Sequence, residues 1–217
     1  MTSTPSPSPT PAATASLRVV NGNASENPIN VLVDGAPVVS SVTFLKNTGY
    51  VAVPAGAHQV MLQGWANPPN ETFMATFPEN AKSTLLFEGW GPFSSEPSLI
   101  TDDTTPPAAG NFKLRIVDGS VFTPFDVYIL PSGTAAGGTP AITPMTISEN
   151  SPSQYLSFTA GTYHVVFTDF QTLNIAFDTG PLTFAAGQNR TLFLILNCSL
   201  NACSSTALTS TLLADLN

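Results

Sequence analysis

LRIVDGSVFTPFDVYIL, residues 114–130, repeats in altered form a stretch met earlier in the chain, LRVVNGNASENPINVLV at 17–33. Aligned at their starts, position 17 against position 114, the segments place VVNG at 19–22 on IVDG at 116–119. The register then slips by one, and Ile29, Val31 and Val33 match Phe125, Val127 and Ile129. Each trio is a period-two apolar face with Asn30 or Asp126 on the other side, the pattern of a strand with one face in a core. Both copies read as strand, turn, strand.

Two more matches follow in the same order. YVAVPAGAHQVML at 50–62 aligns with YLSFTAGTYHVVF at 155–167, and TFPENAKSTLLF at 76–87 with TFAAGQNRTLFL at 183–194. The unmatched residues lie between these blocks, as insertions in loops do. Because order is preserved, the repeated unit is a whole domain. Strand-like runs recur every ~8–12 residues between Pro, Gly and Asn, with no sustained helical period, which predicts antiparallel β-sandwiches of about seven strands each.

The expected organisation is a tether at 1–16, a first sandwich at 17–100, a linker at 101–110 (TDDTTPPAAG) and a second sandwich at 111–217. The tether alternates Pro with Ser and Thr, which removes amide donors and favours extended, solvated backbone. It reads as a disordered spacer lifting the domains off a surface, behind a lipid anchor or a removed signal. The linker joins acids, a Pro pair and small residues, the composition of an exposed connection.

Composition supports export. Hydrophobic residues make up 42% of the 217 and charged residues only 9%, so the polar surface comes mainly from Ser, Thr, Asn and Gln. The formal net charge is −8, which provides no footprint for phosphate backbones and excludes nucleic acid as a partner. No apolar run approaches the ~20 residues of a membrane-spanning helix. Localisation is therefore expected to be extracellular or at the cell envelope, with envelope polysaccharide or protein as the partner classes.

The order of LRVV, INVLVDG and YVAVPAGAHQV in the first copy, and of LRIV, FDVYIL and YLSFTAGTYHV in the second, resembles the bacterial exported domain-of-unknown-function 4397 family. The resemblance covers nearly everything after residue 16 and implies tandem immunoglobulin-like sandwiches at the cell envelope. It implies no activity. The family's frequent His-Ala-Ser-Pro turn is replaced by Asn21-Gly22-Asn23-Ala24-Ser25 and by Asp118-Gly119-Ser120, so no role for that His carries over.

Few residues offer chemistry. The two histidines, His58 and His164, fall in different domains; His58 shares parity with Val60 and Leu62 and is expected to be partly buried, whereas His164 is expected to face solvent. Asp102-Asp103 is the best local acid pair, but calcium needs ~6–8 oxygens and no D-x-D-x-D-G loop surrounds it. No G-x-S-x-G elbow is present, and Gly137-Gly138 lacks the Lys and helix of a phosphate cradle. No catalytic residue, metal site or cofactor is expected. Cys198 and Cys203 frame Ser-Leu-Asn-Ala; without a second Cys pair for zinc or the CxxC redox spacing, they read as a disulfide across a turn.

Aromatic residues give the remaining candidate. Two strands end in Gly64-Trp65 and Gly89-Trp90 with one returning strand between them, which predicts both tryptophans at one pole, with Asn67, Asn70 and Phe93 in the adjoining loops. Such a pole can stack on sugar rings or apolar peptide; the competing reading packs it against the second domain, since the chain leaves from this end. The expected function is thus a non-enzymatic adhesion, scaffold or spacer module. A carbohydrate- or peptide-binding module using the Trp65/Trp90 pole is the alternative, and a hydrolase with an unrecognised site the outside alternative.

Overall fold

The computed structural model describes residues 12–23, 28–66, 69–90, 93–94, 97–120, 124–145, 152–197 and 207–217, and the side chains of 65, 66, 69, 88–90, 93, 94, 144 and 145 are not among what it describes. The first half holds β1 (Thr14–Asn23), β2 (Ile29–Val33), β3 (Ala36–Val42), β4 (Val51–Pro54), β5 (Gly56–Ala66), β6 (Pro69–Phe77), β7 (Lys82–Trp90), β8 (Phe93–Ser94) and β9 (Ser98–Thr101). The second holds β10 (Asn111–Gly119), β11 (Phe125–Pro131), β12 (Ile142–Met145), β13 (Leu156–Thr159), β14 (Gly161–Asp169), β15 (Ile175–Asp178), β16 (Leu182–Phe184), β17 (Asn189–Leu196) and β18 (Leu208–Leu216). The fold is all-β, and no helix among the described residues is long and apolar enough to cross a membrane.

Four sheets form. In the first half β4-β1-β7 extends through β8 and β9, both paired with β7, and β3-β2-β5-β6 makes the second sheet. In the second half β13-β10-β17-β18 makes the third sheet, and β12-β11-β14-β15, with β16 also on β14, the fourth. The two halves thus share a strand order. Both depart from purely antiparallel pairing at one place: β1 pairs parallel with β7, and β10 parallel with β17. Parallel neighbours need a long crossover, supplied here by the strands of the opposite sheet.

Strand alternation builds the cores. Leu17 and Val19 of β1, with Leu85 and Phe87 of β7, meet Ile29, Val31, Val60, Leu62 and Phe77 from the second sheet. Phe112, Leu114 and Ile116 of β10, with Leu192 and Leu194 of β17, meet Phe125, Val127, Val165 and Phe167 from the fourth. The trios read from the repeat, Ile29/Val31/Val33 and Phe125/Val127/Ile129, all point into these cores.

The intervening residues should face water, but in β1, β7, β10 and β17 they do not. Val20, Leu86 and Ile100 of the first half pack with Val117, Phe193, Ile195 and Leu213 of the second in a third cluster. The first and third sheets are therefore stacked face to face, and both are covered on both sides, the setting that parallel pairs favour. The result is a four-layer stack with the repeated LRVV and LRIV strands at its centre.

Two boundaries come out finer than the sequence reading. β1 begins at Thr14, inside the segment expected as tether, and Ala15 is buried. Most of 101–110 is exposed, but Asp102 is buried and Asp103 half-buried.

Candidate functional site

Thr14–Leu17 pairs with β4 and Ser16–Asn23 with β7, so the outward side chains of β1 are aimed by two neighbours at the opposing half. One of these is Arg18, 2% exposed. Its Nε donates to Thr84 Oγ1 at 3.0 Å, its Nη1 to the Ala214 carbonyl at 2.9 Å and its Nη2 to Asp215 Oδ1 at 2.6 Å. Arg115 repeats this from the other side: Nε donates to Thr191 Oγ1 at 2.7 Å, Nη1 to the Thr101 carbonyl at 2.9 Å, and Nη2 to Asp102 Oδ1.

Each carboxylate is also held by its own half. Asp102 accepts from Thr84 Oγ1 at 2.6 Å and Tyr50 Oη at 2.7 Å. Asp215 accepts from Thr191 Oγ1 at 2.6 Å and Tyr155 Oη at 2.9 Å. The guanidinium of Arg18 lies over the Tyr50 ring and that of Arg115 over the Tyr155 ring, each 4.8 Å from the centroid. Burial, reinforced by the adjoining carboxylates, pushes both tyrosine hydroxyls above the ordinary phenol range. The arrangement is a reciprocal exchange: each half offers an Arg to the carboxylate of the other.

Buried ion pairs gain little net stability over apolar packing, but removing one partner strands a charge in a low-dielectric interior. Here the charges are hydrogen-bonded throughout and flanked by an apolar cluster, so the network fixes how the halves sit together. The sequence signal was present: with six Lys and Arg in the whole chain, both copies place an Arg at the second position of the same apolar motif.

Beside the network lies a cleft of about 460 Å³ lined by Thr101, Asp102, Asp103, Lys113, Arg115 and Tyr155 among others. Its charges are already matched. Lys113 Nζ donates to Asp103 Oδ2 at 2.7 Å. Burial raises the Asp103 carboxyl, but the bonds from Lys113 and Thr105 outweigh it and hold it below the usual range. Asp102 and Asp103, the pair weighed for calcium, therefore face a guanidinium and an ammonium.

The histidines differ from expectation in one case. His58 is half-buried, as expected, with Nδ1 2.6 Å from Asp34 Oδ2 and its ring stacked on Phe77. The bond to Asp34, with a weaker one to the Ala55 carbonyl, raises its pKa. His164 does not face solvent: Nδ1 lies 3.1 Å from Asp178 Oδ2 and Nε2 2.9 Å from the Thr134 carbonyl, because a segment of chain crosses its face of the sheet.

The strand directions put the two Gly-Trp ends together. β5 runs antiparallel to β6, which returns the chain to the start of β7, so β5 and β7 finish at one pole. The Gly64 φ of +99° and the 2.8 Å that a Cβ there would leave to the Pro28 carbonyl explain the glycine before Trp65. Asn70 is exposed, and its Oδ1 accepts from the Gly64 amide at 3.4 Å. Asn67 and the side chains of Trp65, Trp90 and Phe93 lie outside the described residues, as do Cys198 and Cys203. The chain does not leave the first half from this pole. β9 runs back along β7, bringing Thr101 opposite Ser83 at the other end.

Among curated proteins none matches the chain. One solved structure with likeness is the Bacillus anthracis TIE protein, at 11% identity and TM-score 0.24, covering 93% of this chain and 44% of that one; a likeness so slight carries no argument. The family model described as "Domain of unknown function (DUF4397)" matches residues 15–128, from β1 into β11 and so across both central Arg positions. With more than half of its length inside that match, the chain belongs to the DUF4397 family.

Proposed function

We propose that the chain is a non-enzymatic secreted or cell-envelope module in which two copies of the family domain act as one rigid adhesion, scaffold or spacer unit, tethered through the Pro/Ser/Thr-rich residues that precede β1. The observation that carries this reading is the reciprocal pairing of Arg18 with Asp215 and Arg115 with Asp102. Interfaces between domains of one chain are ordinarily polar and permit relative motion. This one is apolar with a buried, fully bonded ionic centre, as suits a body that holds a shape and presents surfaces.

A second reading, binding of carbohydrate or peptide at the Trp65/Trp90 pole, is favoured by the common direction of β5 and β7 and the exposure of Asn70. A hydrolase is the outside alternative. A binding screen against cell-wall polymer, glycans and surface proteins, run with wild type and a Trp65→Ala/Trp90→Ala double variant, tests the choice. Surface binding that survives the double substitution supports the scaffold reading. Glycan binding abolished by it supports the second, and turnover of a glycan or peptide substrate by the wild type sinks both.

A further inference from the structure

On the outward face of the fourth sheet, remote from the interface, Asp126 and Tyr128 of β11 lie opposite Thr168 and Val166 of β14, and all four are buried. A segment crosses that face. Ser132 N–H donates to the Thr162 carbonyl at 3.0 Å, the Thr134 carbonyl meets His164, and Ala141 N–H donates to the Val127 carbonyl at 2.8 Å. Between the segment and the turn after β14 is a cleft of about 540 Å³ lined by Asp126, Tyr128, Pro140, Thr143, Gln171 and Leu173 among others.

Asp126 is 5% exposed. Its Oδ1 accepts from the Thr143 hydroxyl and its Oδ2 from the Gln171 N–H at 2.9 Å. Both donors are neutral, and among the described residues no Lys, Arg or His pairs with it. A carboxylate offers about four acceptor directions, so roughly two remain unused. Tyr128, 4% exposed, makes no hydrogen bond through its hydroxyl among the described residues, and Thr168 Oγ1 beside Asp126 is buried without a partner. Asp102 also lines a cleft, but Arg115 pairs with it there.

The first half shows the corresponding sheet without the acid, the phenol or the covering segment. Asn30 and Leu32 stand where Asp126 and Tyr128 do, and Asn30 is satisfied locally by Gln63 and Ser41. Only Asp34 and Gly35 separate β2 from β3, whereas residues 132–141 separate β11 from β12. The second copy thus combines an acid, a phenol and a covering segment at one place.

We infer that this cleft binds an organic ammonium group, the side chain of a lysine presented by a partner protein. The ammonium sits against the free lone pairs of Asp126 and the Tyr128 hydroxyl. The methylene stem runs along Pro140 and Leu173, the latter 59% exposed, in the manner of an amphipathic side chain with an apolar body and a charged tip. A net charge of −8 favours the approach of a cation. This site is independent of the Trp pole and of the module reading, and either can fail without the other.

The test is an amide-resolved NMR titration of the full chain with Nα-acetyl-lysine methylamide, its Nε-acetylated counterpart and glucosamine. The expected result is saturable shifts at the Gln171 and Thr172 amides, with binding at least ~10-fold weaker after Nε-acetylation or in Asp126→Asn, since bonds to charged groups are the strong ones. Asn is the residue of the first half at this position, so the variant should fold. Should its unliganded spectrum change throughout, Tyr128→Leu, again the residue of the first half, decides by the same titration through an equivalent loss of affinity. Equal binding of the acetylated compound, tighter binding of glucosamine, shifts confined to other regions, or unchanged affinity in the variant that folds overturns the assignment.

Discussion

Arg18 Nη2 donates to Asp215 Oδ1 at 2.6 Å, joining residues 197 positions apart. Asp215→Ala would leave that guanidinium buried with only its longer, 3.5 Å contact to Asp102 Oδ2 as counter-charge, a carboxylate already shared with Arg115, and would free the hydroxyls of Tyr155 and Thr191. A loss of about 3–5 kcal/mol is expected by urea unfolding, with a clearly smaller loss in an Arg18→Met/Asp215→Leu double variant. A single-variant loss below ~1 kcal/mol would show that the pair is not holding the halves.

Gly22 of β1 lies directly against Phe193 of β17. A Cβ there would stand 3.0 Å from Phe193 Cε1 and 3.1 Å from the Phe87 carbonyl. Gly22→Ala is expected to destabilise by about 1–3 kcal/mol through overpacking. Combining it with Phe193→Leu, which makes room, should recover part of the loss; full additivity would indicate that the crowding lies elsewhere.

Asp118 takes the position of Asn21. Both make the same turn, accepting from the amide two residues on, but the Asn21 amide also donates to the Val42 carbonyl at 2.9 Å, while Asp118 Oδ2 is buried without a partner among the described residues. Burial, opposed by the bonds from Ser120, raises the Asp118 carboxyl. The folded state therefore holds the proton more tightly than the unfolded chain, and stability falls as pH rises from the unfolded value through the folded one. Asp118→Asn should remove that fall and add about 1 kcal/mol at pH 7, the low end of the cost of an unsatisfied buried group. Melting curves from pH 3 to 8 check this, and a lower midpoint in the variant at pH 7 would refute it.

The N-terminal tract divides at β1. Deleting residues 2–11 should leave the melting temperature unchanged. Extending the deletion to 16 removes Thr14, Ala15 and Ser16 from their pairing with Pro54, Val53 and Ala52, and should lower it by several degrees. Equal midpoints for both truncations would show that this end of β1 is dispensable.

The repeat made the architecture legible because period-two patterning reports which residues leave water, and Leu17, Val19, Ile29 and Val31 obeyed it, as did Leu114, Ile116, Phe125 and Val127 in the second copy. What patterning does not report is where the outward face goes. Arg18 and Val20 alternate as though solvated, yet the third sheet covers them, and only the recurrence of Arg at one repeat position hinted at a partner. Asp102 and Asp215 were harder still, for one lies in a stretch with a linker's composition and the other near the chain end. The covering of Asp126 depends on an insertion between β11 and β12, and a loop's path is not written in its composition. The exit of the linker was misplaced for a similar reason: β9 is a four-residue strand, too short for alternation to reveal its reversal.

The two halves form one cooperative body joined through Arg18, Arg115, Asp102 and Asp215, and differential scanning calorimetry of the full chain distinguishes this from two independent domains. A single transition is expected, with a calorimetric to van't Hoff enthalpy ratio of about 1, and a split into two transitions when Arg18 and Arg115 are both replaced by Met. Two transitions in the wild type, with a ratio approaching ~2, would contradict it.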